Sequence, residues 1–512
     1  MSGETEIKFE VPAARLAAIA HQPWFKQFQA AAPKIERLVS VYFDTPKGAL
    51  KRRHLSLRVR RAGARHLQTV KAGASPIERQ EWEWEISGET PERKLARKTA
   101  LKPFTARRKW RKLRPLFETE VERTAIALRY HDALIALALD KGRISAKGKT
   151  LAISEIELEL KEGRMAGLAD LAHLLGEKLP LALALQSKAA RGYALHDEAV
   201  GVAVEACGLQ VGGAWNAAQG FTAIALSCLQ HATANRAAVL NGDAEGVHQM
   251  RVGLRRLRAA LSLFKTLLRD AESERIKDNL KWLSGQLAPA RDLDVFVANS
   301  VEPLERQETR HAPLKTLKAA LEARRGQEFE RMRLAVASPR YRRIVLETAL
   351  WALAGKWAEG DDAMQTARRA RPLSLAADKI LKQRARKMGK ALARLPEMDE
   401  RGRHKLRIAV KTLRYASQFF AALHANGKGS KRRRAFEARL KVLQSALGRL
   451  NDIRMHEDYA RRQVGKGSDG GSKLRVFGLG FVTGHERQAV SSCLDAAIRA
   501  GKRLRRQRQF WT

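Results

Sequence analysis

Through roughly the first 200 residues, charged and apolar side chains alternate with period two. The alternation runs through Glu4-Thr-Glu6-Ile-Lys8, Ser56-Leu-Arg58-Val-Arg60, Thr69-Val-Lys71, Glu81-Trp-Glu83-Trp-Glu85 and Glu155-Ile-Glu157-Leu-Glu159. It predicts β-strands with one charged and one apolar face. A half-exposed sheet would account for any one of them. Several strands that mix Glu with Arg and Lys point instead to a closed antiparallel barrel with a wet, charged lumen, its apolar outside partly covered by helices at 11–30 and 93–114. The basic run in 93–114 reads as a solvated face.

From Trp215 onward the apolar spacing becomes helical. His248-Gln-Met-Arg251-Val-Gly-Leu-Arg255-Arg256-Leu-Arg258 recurs as His404-Lys-Leu-Arg407-Ile-Ala-Val-Lys411-Thr-Leu-Arg414. At ~100° per residue, His248, Arg251, Arg255 and Arg258, and likewise His404, Arg407, Lys411 and Arg414, fall within an arc of about 80°. Met250, Val252, Leu254 and Leu257, and Leu406, Ile408, Val410 and Leu413, form the apolar side that anchors each helix. Arg291-Asp292-Leu-Asp294 follows the first copy and Arg449-Leu-Asn451-Asp452 the second, so the region is a duplicated helical unit. Asp292, Asp294, Asn451 and Asp452 are read as helix caps or as holders of arginines rather than metal ligands. Lone histidines such as His231, His424 and His485 are read as structural, and Lys431–Arg434 as solvated surface.

Residues 199–214 lose charge and gain glycine, which suits a connector with one short strand or turn. The expected organisation is a β-tunnel over 1–200, a linker over 201–214 and an all-α region over 215–512, with a flexible loop at 464–473. The fold class is therefore α+β and multidomain.

With 97 Lys and Arg against 54 Asp and Glu, the net charge of +43 favours polyanionic partners. Three scattered cysteines make no disulfide framework. The acidic opening Met1-Ser-Gly-Glu-Thr-Glu is unlike a signal peptide, and no run reaches the ~18 apolar residues of a membrane span, so a soluble cytoplasmic protein with no membrane partner is expected.

A lumen with both signs of charge fits a condensed phosphate and its divalent metal. Glu4, Glu6, Glu155, Glu157 and Glu159 suit the metal; Lys8, Arg58, Arg60, Lys71 and Arg123 suit phosphate oxygens.

Glu4-x-Glu6-x-Lys8, Tyr42-Phe-Asp44-Thr, Leu57-Arg58-Val-Arg60, Thr69-Val-Lys71, Glu120-Val-Glu-Arg123, Leu139-Asp140-Lys-Gly142, Glu155-Ile-Glu157-Leu-Glu159 and Ser187-Lys188-Ala-Ala-Arg191-Gly192-Tyr193 follow one another in the order of a CYTH domain. This part resembles the triphosphate tunnel metalloenzymes of the inorganic triphosphatase type. The resemblance implies an eight-stranded antiparallel tunnel that hydrolyses inorganic triphosphate with Mg2+ or Mn2+. Glu4 and Glu6 would help hold the metal, with Glu155, Glu157 and Glu159 shared between metal and water activation. Lys8, Arg58, Arg60, Lys71, Arg123 and Lys188 would clamp phosphates, and Glu4, Glu6, Lys8 and Lys71 would be the catalytic set. The duplicated helices resemble a CHAD domain, which implies that His248, Arg251, Arg255, Arg258, His404, Arg407, Lys411 and Arg414 line a groove for inorganic polyphosphate, with association with polyphosphate granules as a corollary. Two other readings stay open: a non-catalytic polyphosphate-binding or targeting protein, and a tunnel enzyme acting on thiamine triphosphate or a nucleotide. Nucleic acid is disfavoured because no aromatics interleave with the basic stripe.

Overall fold

The computed structural model describes residues 2–511 apart from 74–77, 210, 269, 309–310, 361, 426 and 465–469; the side chains of 2–4, 78–79 and 427–428 are not described either. The first part is built from β1 (Ser2–Glu10), β2 (Lys34–Asp44), β3 (Leu55–Ala62), β4 (Arg65–Ala72), β5 (Glu78–Ile86), β6 (Arg114–Tyr130), β7 (Ala133–Ala146), β8 (Lys149–Glu162) and β9 (Ala182–Leu183). Their order is β5-β4-β3-β2-β6-β7-β8-β1-β9, with β1 also paired to β5. Ser2–Thr5 pair with Glu78–Glu81 while Glu6–Glu10 pair with Glu155–Glu159. One strand thereby joins both ends of the sheet, closing eight strands into a tunnel and leaving no open edge. The two-residue β9 adds to the end of β1.

Alternation places the apolar faces outward. Ile7 and Phe9 of β1 and Ile156 and Leu158 of β8 are at most 1% exposed, and they share a core with Leu168, Leu171 and Leu175 of α5 (Met165–Lys178). Full burial of each such side chain is worth about 1.5–3 kcal/mol. Before α5 in the chain, 11–30 holds α1 (Ala13–Ile19) and α2 (Pro23–Lys26), and 93–114 holds α3 (Arg93–Ala96) and α4 (Arg107–Trp110). The two covering helices expected there are thus each split into short turns. Pro23 opens α2 and Pro103 sits between α3 and α4; proline cannot continue a helix from the preceding turn. After α5, α6 (Lys188–His196) lies against β6 and β7. Gly192 permits this, since a Cβ there would lie 2.1 Å from Cε2 of Phe117.

The connector is irregular, with no strand among the described residues of 199–214. Its course is fixed by Asn235, whose side chain accepts from Val204 N at 2.8 Å and donates to Val204 O at 3.0 Å.

The remainder is helical: α7 (Ala217–Ala234), α8 (Arg236–Leu240), α9 (Ala244–Leu263), α10 (Ala271–Phe296), α11 (Glu302–Gln307), α12 (Ala312–Ala337), α13 (Pro339–Ala354), α14 (Ala363–Ala370), α15 (Leu373–Ala393), α16 (Glu400–Phe419), α17 (Gly427–Gln463) and α18 (Gly470–Arg505). The glycine-rich loop expected at 464–473 is shorter, because Gly470–Lys473 already belong to α18; 465–469 lie outside the described residues. The repeat helices α9 and α16 pack together, Phe264 and Phe420 approaching to 6.2 Å between ring centroids. Met250, Leu254 and Leu257, and Leu406, Val410 and Leu413, are buried as expected. Ile408 is not an anchor: it is 50% exposed. Arg256 fills the seam between the repeats, donating to Gln418 Oε1 at 3.0 Å and lying 5.0 Å from the Phe419 ring centroid.

The two parts share one core, where α5 packs on α13 and Gly176 faces Leu346. Among the described residues no helix is long and apolar enough to cross a membrane.

Gly192→Ala should lower stability by about 1–3 kcal/mol in urea unfolding, as overpacking typically does. Unchanged stability would mean that α6 does not sit against Phe117 as described.

Candidate functional site

The tunnel lumen is a cavity of about 830 Å³. Its side chains come from alternate positions of adjacent strands, which is why the charges of β1, β3, β4, β5, β6 and β8 meet there. Glu157 lies at the centre of the densest part. It takes Lys8 Nζ at 2.8 Å, Arg123 Nη2 at 2.6 Å and Lys188 Nζ at 2.8 Å. Burial opposes its ionisation, but Lys188, Lys8 and Arg123 hold its pKa well below the usual carboxylate range. Asp140, fully buried, receives both arms of Arg123 at 2.7 Å and Lys188 at 2.8 Å. Lys188 also meets Glu155 Oε2 at 2.7 Å, and Arg191 closes on the other Glu155 oxygen. Lys8 reaches Glu6 at 2.9 Å. For Lys8 and Lys188, burial alone would lower the pKa, yet the neighbouring carboxylates outweigh it and raise both.

Further along the lumen the balance changes. Arg58 lies 3.8 Å from Glu81 and 3.9 Å from Glu83, too far for direct hydrogen bonds. Its charge and hydrogen bond outweigh burial to lower the Tyr42 pKa. Lys71 pairs with Glu81 at 3.0 Å. Among the described residues Arg60 has no carboxylate in contact; its Nε donates to Ser40 Oγ at 3.2 Å. Burial first, then the charges of Arg58 and Arg123, push Arg60 down to about 10. A buried guanidinium among other cations is stabilised by an incoming anion.

All six predicted phosphate-binding side chains, Lys8, Arg58, Arg60, Lys71, Arg123 and Lys188, therefore line one cavity. The predicted carboxylates divide. Glu6, Glu157 and Glu159 line it; Glu155 lies beneath Lys188 and Arg191, outside the lining. The Glu4 side chain lies outside the described residues. Glu81 and Glu83, which the alternation left without a role, face the lumen, and the Arg79 side chain is not described. Tyr42, Ser40, Asp140 and Arg191 complete the network. The Tyr42 and Asp140 motifs and the Arg191 motif were visible in sequence, but their partners stand on distant strands.

Among the described residues no three His, Cys, Asp or Glu side chains converge closely enough to cage a metal ion. Glu6 and Glu159 are, however, paired directly across β1 and β8 and face the lumen. Mg2+ is commonly held by one or two carboxylates together with substrate phosphates, so this donor pair fits an ion that arrives with a polyphosphate.

A second cationic site lies between the helical repeats. Arg255 of α9 comes close to Arg407 and Lys411 of α16. Among the described residues, the buried Nε atoms of Arg255, Arg407, Arg414 and Arg291 have no hydrogen-bond partner. Burial, then Arg407 and Arg255, push Lys411 down to about 7. The remaining predicted residues are placed differently. Arg251 donates to the carbonyls of Leu287 and Ala288 at 2.8 and 2.7 Å and to Asp292 at 3.1 Å. His404 Nδ1 meets Asn451 Oδ1 at 2.7 Å. His248 has its pKa lowered by burial and by Arg291, and Arg258 is exposed. Asp292 and Asn451 thus hold basic side chains and lie within helices rather than at caps. Arg291, beside His248, belongs to the groove although sequence reasoning weighed only its acidic neighbours.

A closed antiparallel tunnel with an ion-paired lumen, followed by paired helical repeats around a cationic cluster, defines a two-domain class of chain. Residues 2–193 match the CYTH domain model and residues 223–461 the CHAD domain model, so the chain is a CYTH domain followed by a CHAD domain. A protein of Haemophilus influenzae described as an inorganic triphosphatase is 31% identical over 163 residues, which are 31% of this chain and 46% of that protein; the match therefore spans under half of that relative. The CHAD domain structure from the plant Ricinus communis is 27% identical, covering 58% of this chain and 96% of that one with a TM-score of 0.49. A Hippeastrum structure described as a putative adenylyl cyclase with a dominant triphosphatase activity is 22% identical, covering 37% of this chain and 95% of that one with a TM-score of 0.28.

Glu157→Gln should destabilise the fold by about 3–5 kcal/mol, because three buried cations lose their shared partner. Since the folded pKa of Glu157 is depressed, its contribution is present above the unfolded value of about 4.5 and is lost as pH falls below it, so the variant should also flatten the acid limb of the stability curve. Denaturant unfolding at several pH values checks both; a variant as stable as the parent at neutral pH excludes a central role for Glu157.

Proposed function

We propose that the tunnel hydrolyses inorganic triphosphate to diphosphate and phosphate with Mg2+ or Mn2+, and that the groove between the helical repeats binds inorganic polyphosphate. The observation that carries the first part is the lumen itself: the six cations Lys8, Arg58, Arg60, Lys71, Arg123 and Lys188, from four strands and α6, line one cavity, and among the described residues Arg60 has no carboxylate in contact. The matching inorganic triphosphatase supports the same reading.

Arg58, Arg60, Lys71 and Arg123 would take the phosphate oxygens, displacing the long Arg58 contacts to Glu81 and Glu83 with shorter charge-assisted ones. Lys8 and Lys188 would approach from the paired end, held in place by Glu157, Asp140 and Glu155. We assign Glu155 and Glu157 to this positioning role, because each is already bonded to two or more cations. Glu6 and Glu159, with Glu4 as the sequence motif implies, would hold the metal, which when bound neutralises phosphate charge. The cations would disperse the charge that builds on the departing diphosphate.

In the groove, Arg255, Arg407, Lys411 and Arg414 present like charges from two helices with few acids between them. A flexible polyanion relieves that repulsion and releases its counterions on binding.

Glu6→Gln should remove most metal-dependent phosphate release while leaving the fold intact. Arg60→Ala should weaken triphosphate binding by about ten- to a hundredfold, the worth of a charge-assisted hydrogen bond of roughly 1.5–3 kcal/mol. Steady-state phosphate release with Mg2+ and with Mn2+ checks both, and a folded Glu6→Gln protein with parental turnover refutes the assignment.

Binding to the groove should depend on pH near neutrality. Lys411 titrates at about 7 in the free protein. A bound polyanion favours its charged form and raises that value, so binding takes up protons. Affinity is then full below about 7 and declines as pH rises toward the bound value; Lys411→Arg, charged throughout, should flatten the decline. Titration calorimetry with long-chain polyphosphate in buffers of different ionisation heat reads the proton uptake, and none in the parent would remove Lys411 from the groove.

A further inference from the structure

A second cavity, of about 850 Å³, lies where the tunnel, the connector and the helical domain meet. Ser56, Lys71 and Ser187 line both it and the tunnel lumen, so the two spaces adjoin at one end of the tunnel. Its far walls belong to other parts of the chain. Val204–Gly208 of the connector form one side, and Ser227, Gln230 and Ala234 of α7 form another. This wall is fixed in place: Gln230 Nε2 donates to Leu185 O at 2.7 Å, and Asn235 and His231 both bond Val204 O at 3.0 Å.

The charge of the chamber is uneven. On the tunnel side Lys47, Lys51 and Arg52 stand at its rim and Lys71 at the junction. Facing them are Asp197, which takes Lys51 at 2.7 Å, and Glu205. On the helical side His231 is held toward its neutral form by burial and by Arg256, so Arg256 supplies the charge there. Basic groups outnumber acidic ones, and they begin at Lys71, a residue already placed on the triphosphate. Between them the lining is mixed: Ala189, Ala190, Ala194 and Ala206 are small, Leu55, Leu116 and Tyr193 are large and largely apolar, and Ser227 and Gln230 offer polar groups.

We propose that this chamber seats the phosphates of a linear condensed phosphate that extend past the three held in the tunnel, so that the connector and α7 form part of a binding site for chains longer than triphosphate. The site rests on the reading of the tunnel as a triphosphate site, and it adds a length preference to it. A chain whose leading phosphates occupy the lumen would pass Lys71 and meet the Lys47–Arg52 rim. Triphosphate alone would leave the chamber empty.

Cys207 stands on the chamber wall and is exposed, whereas Cys228 is buried. In full-length protein carrying Cys493→Ser, alkylation by a maleimide therefore reports on Cys207. The groove is removed as a competing site by Arg255→Ala with Lys411→Ala, and labelling is kept shorter than one turnover. Linear pentaphosphate should slow Cys207 alkylation several-fold while tripolyphosphate leaves it unchanged, and Lys47→Glu with Arg52→Glu should abolish the protection. Equal protection by both probes, no protection by pentaphosphate, or protection that survives the charge reversal would each overturn the proposal. Ala206→Trp, which fills the chamber from the connector, gives a second reading: it should abolish the tighter binding of pentaphosphate over tripolyphosphate and leave tripolyphosphate turnover as in the parent. Failure of the parent to release phosphate from tripolyphosphate would be seen separately and would refute the tunnel reading; protection by pentaphosphate would still place a longer chain in the chamber.

Discussion

Glu157, bonded to Lys8, Arg123 and Lys188 together, is the interaction on which the tunnel depends. A β-barrel with charges pointing inward removes many ions from water at once, and that is tolerable only where most of them meet an opposite charge. The same alternation then forces the apolar faces outward, where Ile7, Phe9, Ile156 and Leu158 need a cover. Helices α1 and α5 supply part of it, and α13 of the helical domain packs on α5. The ion-paired lumen and the shared core between the two domains are two consequences of one strand pattern.

The helical groove follows the opposite principle. Arg255, Arg407 and Lys411 are brought together with Asp452 as partial compensation, and burial first, then the repulsion of Arg407 and Arg255, lowers the Lys411 pKa. What holds them there is apolar. Met250, Leu254 and Leu257 from one helix and Leu406, Val410 and Leu413 from the other are buried, and the Phe264–Phe420 contact with Arg256 in the seam fixes how the two helices meet. Packing energy from one face of each helix sustains like charges on the other.

The alternation made the strands and the contents of the lumen legible, because a glutamate every second residue cannot be buried on an apolar side. Which carboxylates stay available was not legible. Glu155 is taken up by Lys188 and Arg191 and Glu157 by Lys8, Arg123 and Lys188, whereas Glu159 meets Lys161 two residues on; α6 lies about thirty residues further along, and sequence spacing does not report its contacts. Nor could it show that β1 would bridge both β5 and β8, since each strand carries the same pattern. In the repeats, helical period assigned four basic residues to one face of each helix. It could not tell that Arg251 and His404 lie at the edge of that face nearest α10 and α17 and are taken up by those helices. Ile408 failed as an anchor for the same reason, as periodicity gives a face but not its width.

The two cationic sites should therefore select ligands by different physics. In the tunnel an anion gains little from net charge, because most cations already have a carboxylate; it must offer oxygens at positions that replace those contacts, at the spacing fixed by strand register. Such an exchange is specific and weakly dependent on salt, since few counterions are released. Between the repeats, the buried Nε atoms of Arg255, Arg407 and Arg414 have no hydrogen-bond partner among the described residues, so on the proposed reading a flexible polyanion would gain by neutralising them, and that gain would fall with ionic strength. On the proposed function, a phosphate chain long enough to reach both sites would be held loosely between the repeats, and its entry to the tunnel would be set by the register of β1, β3, β4 and β6.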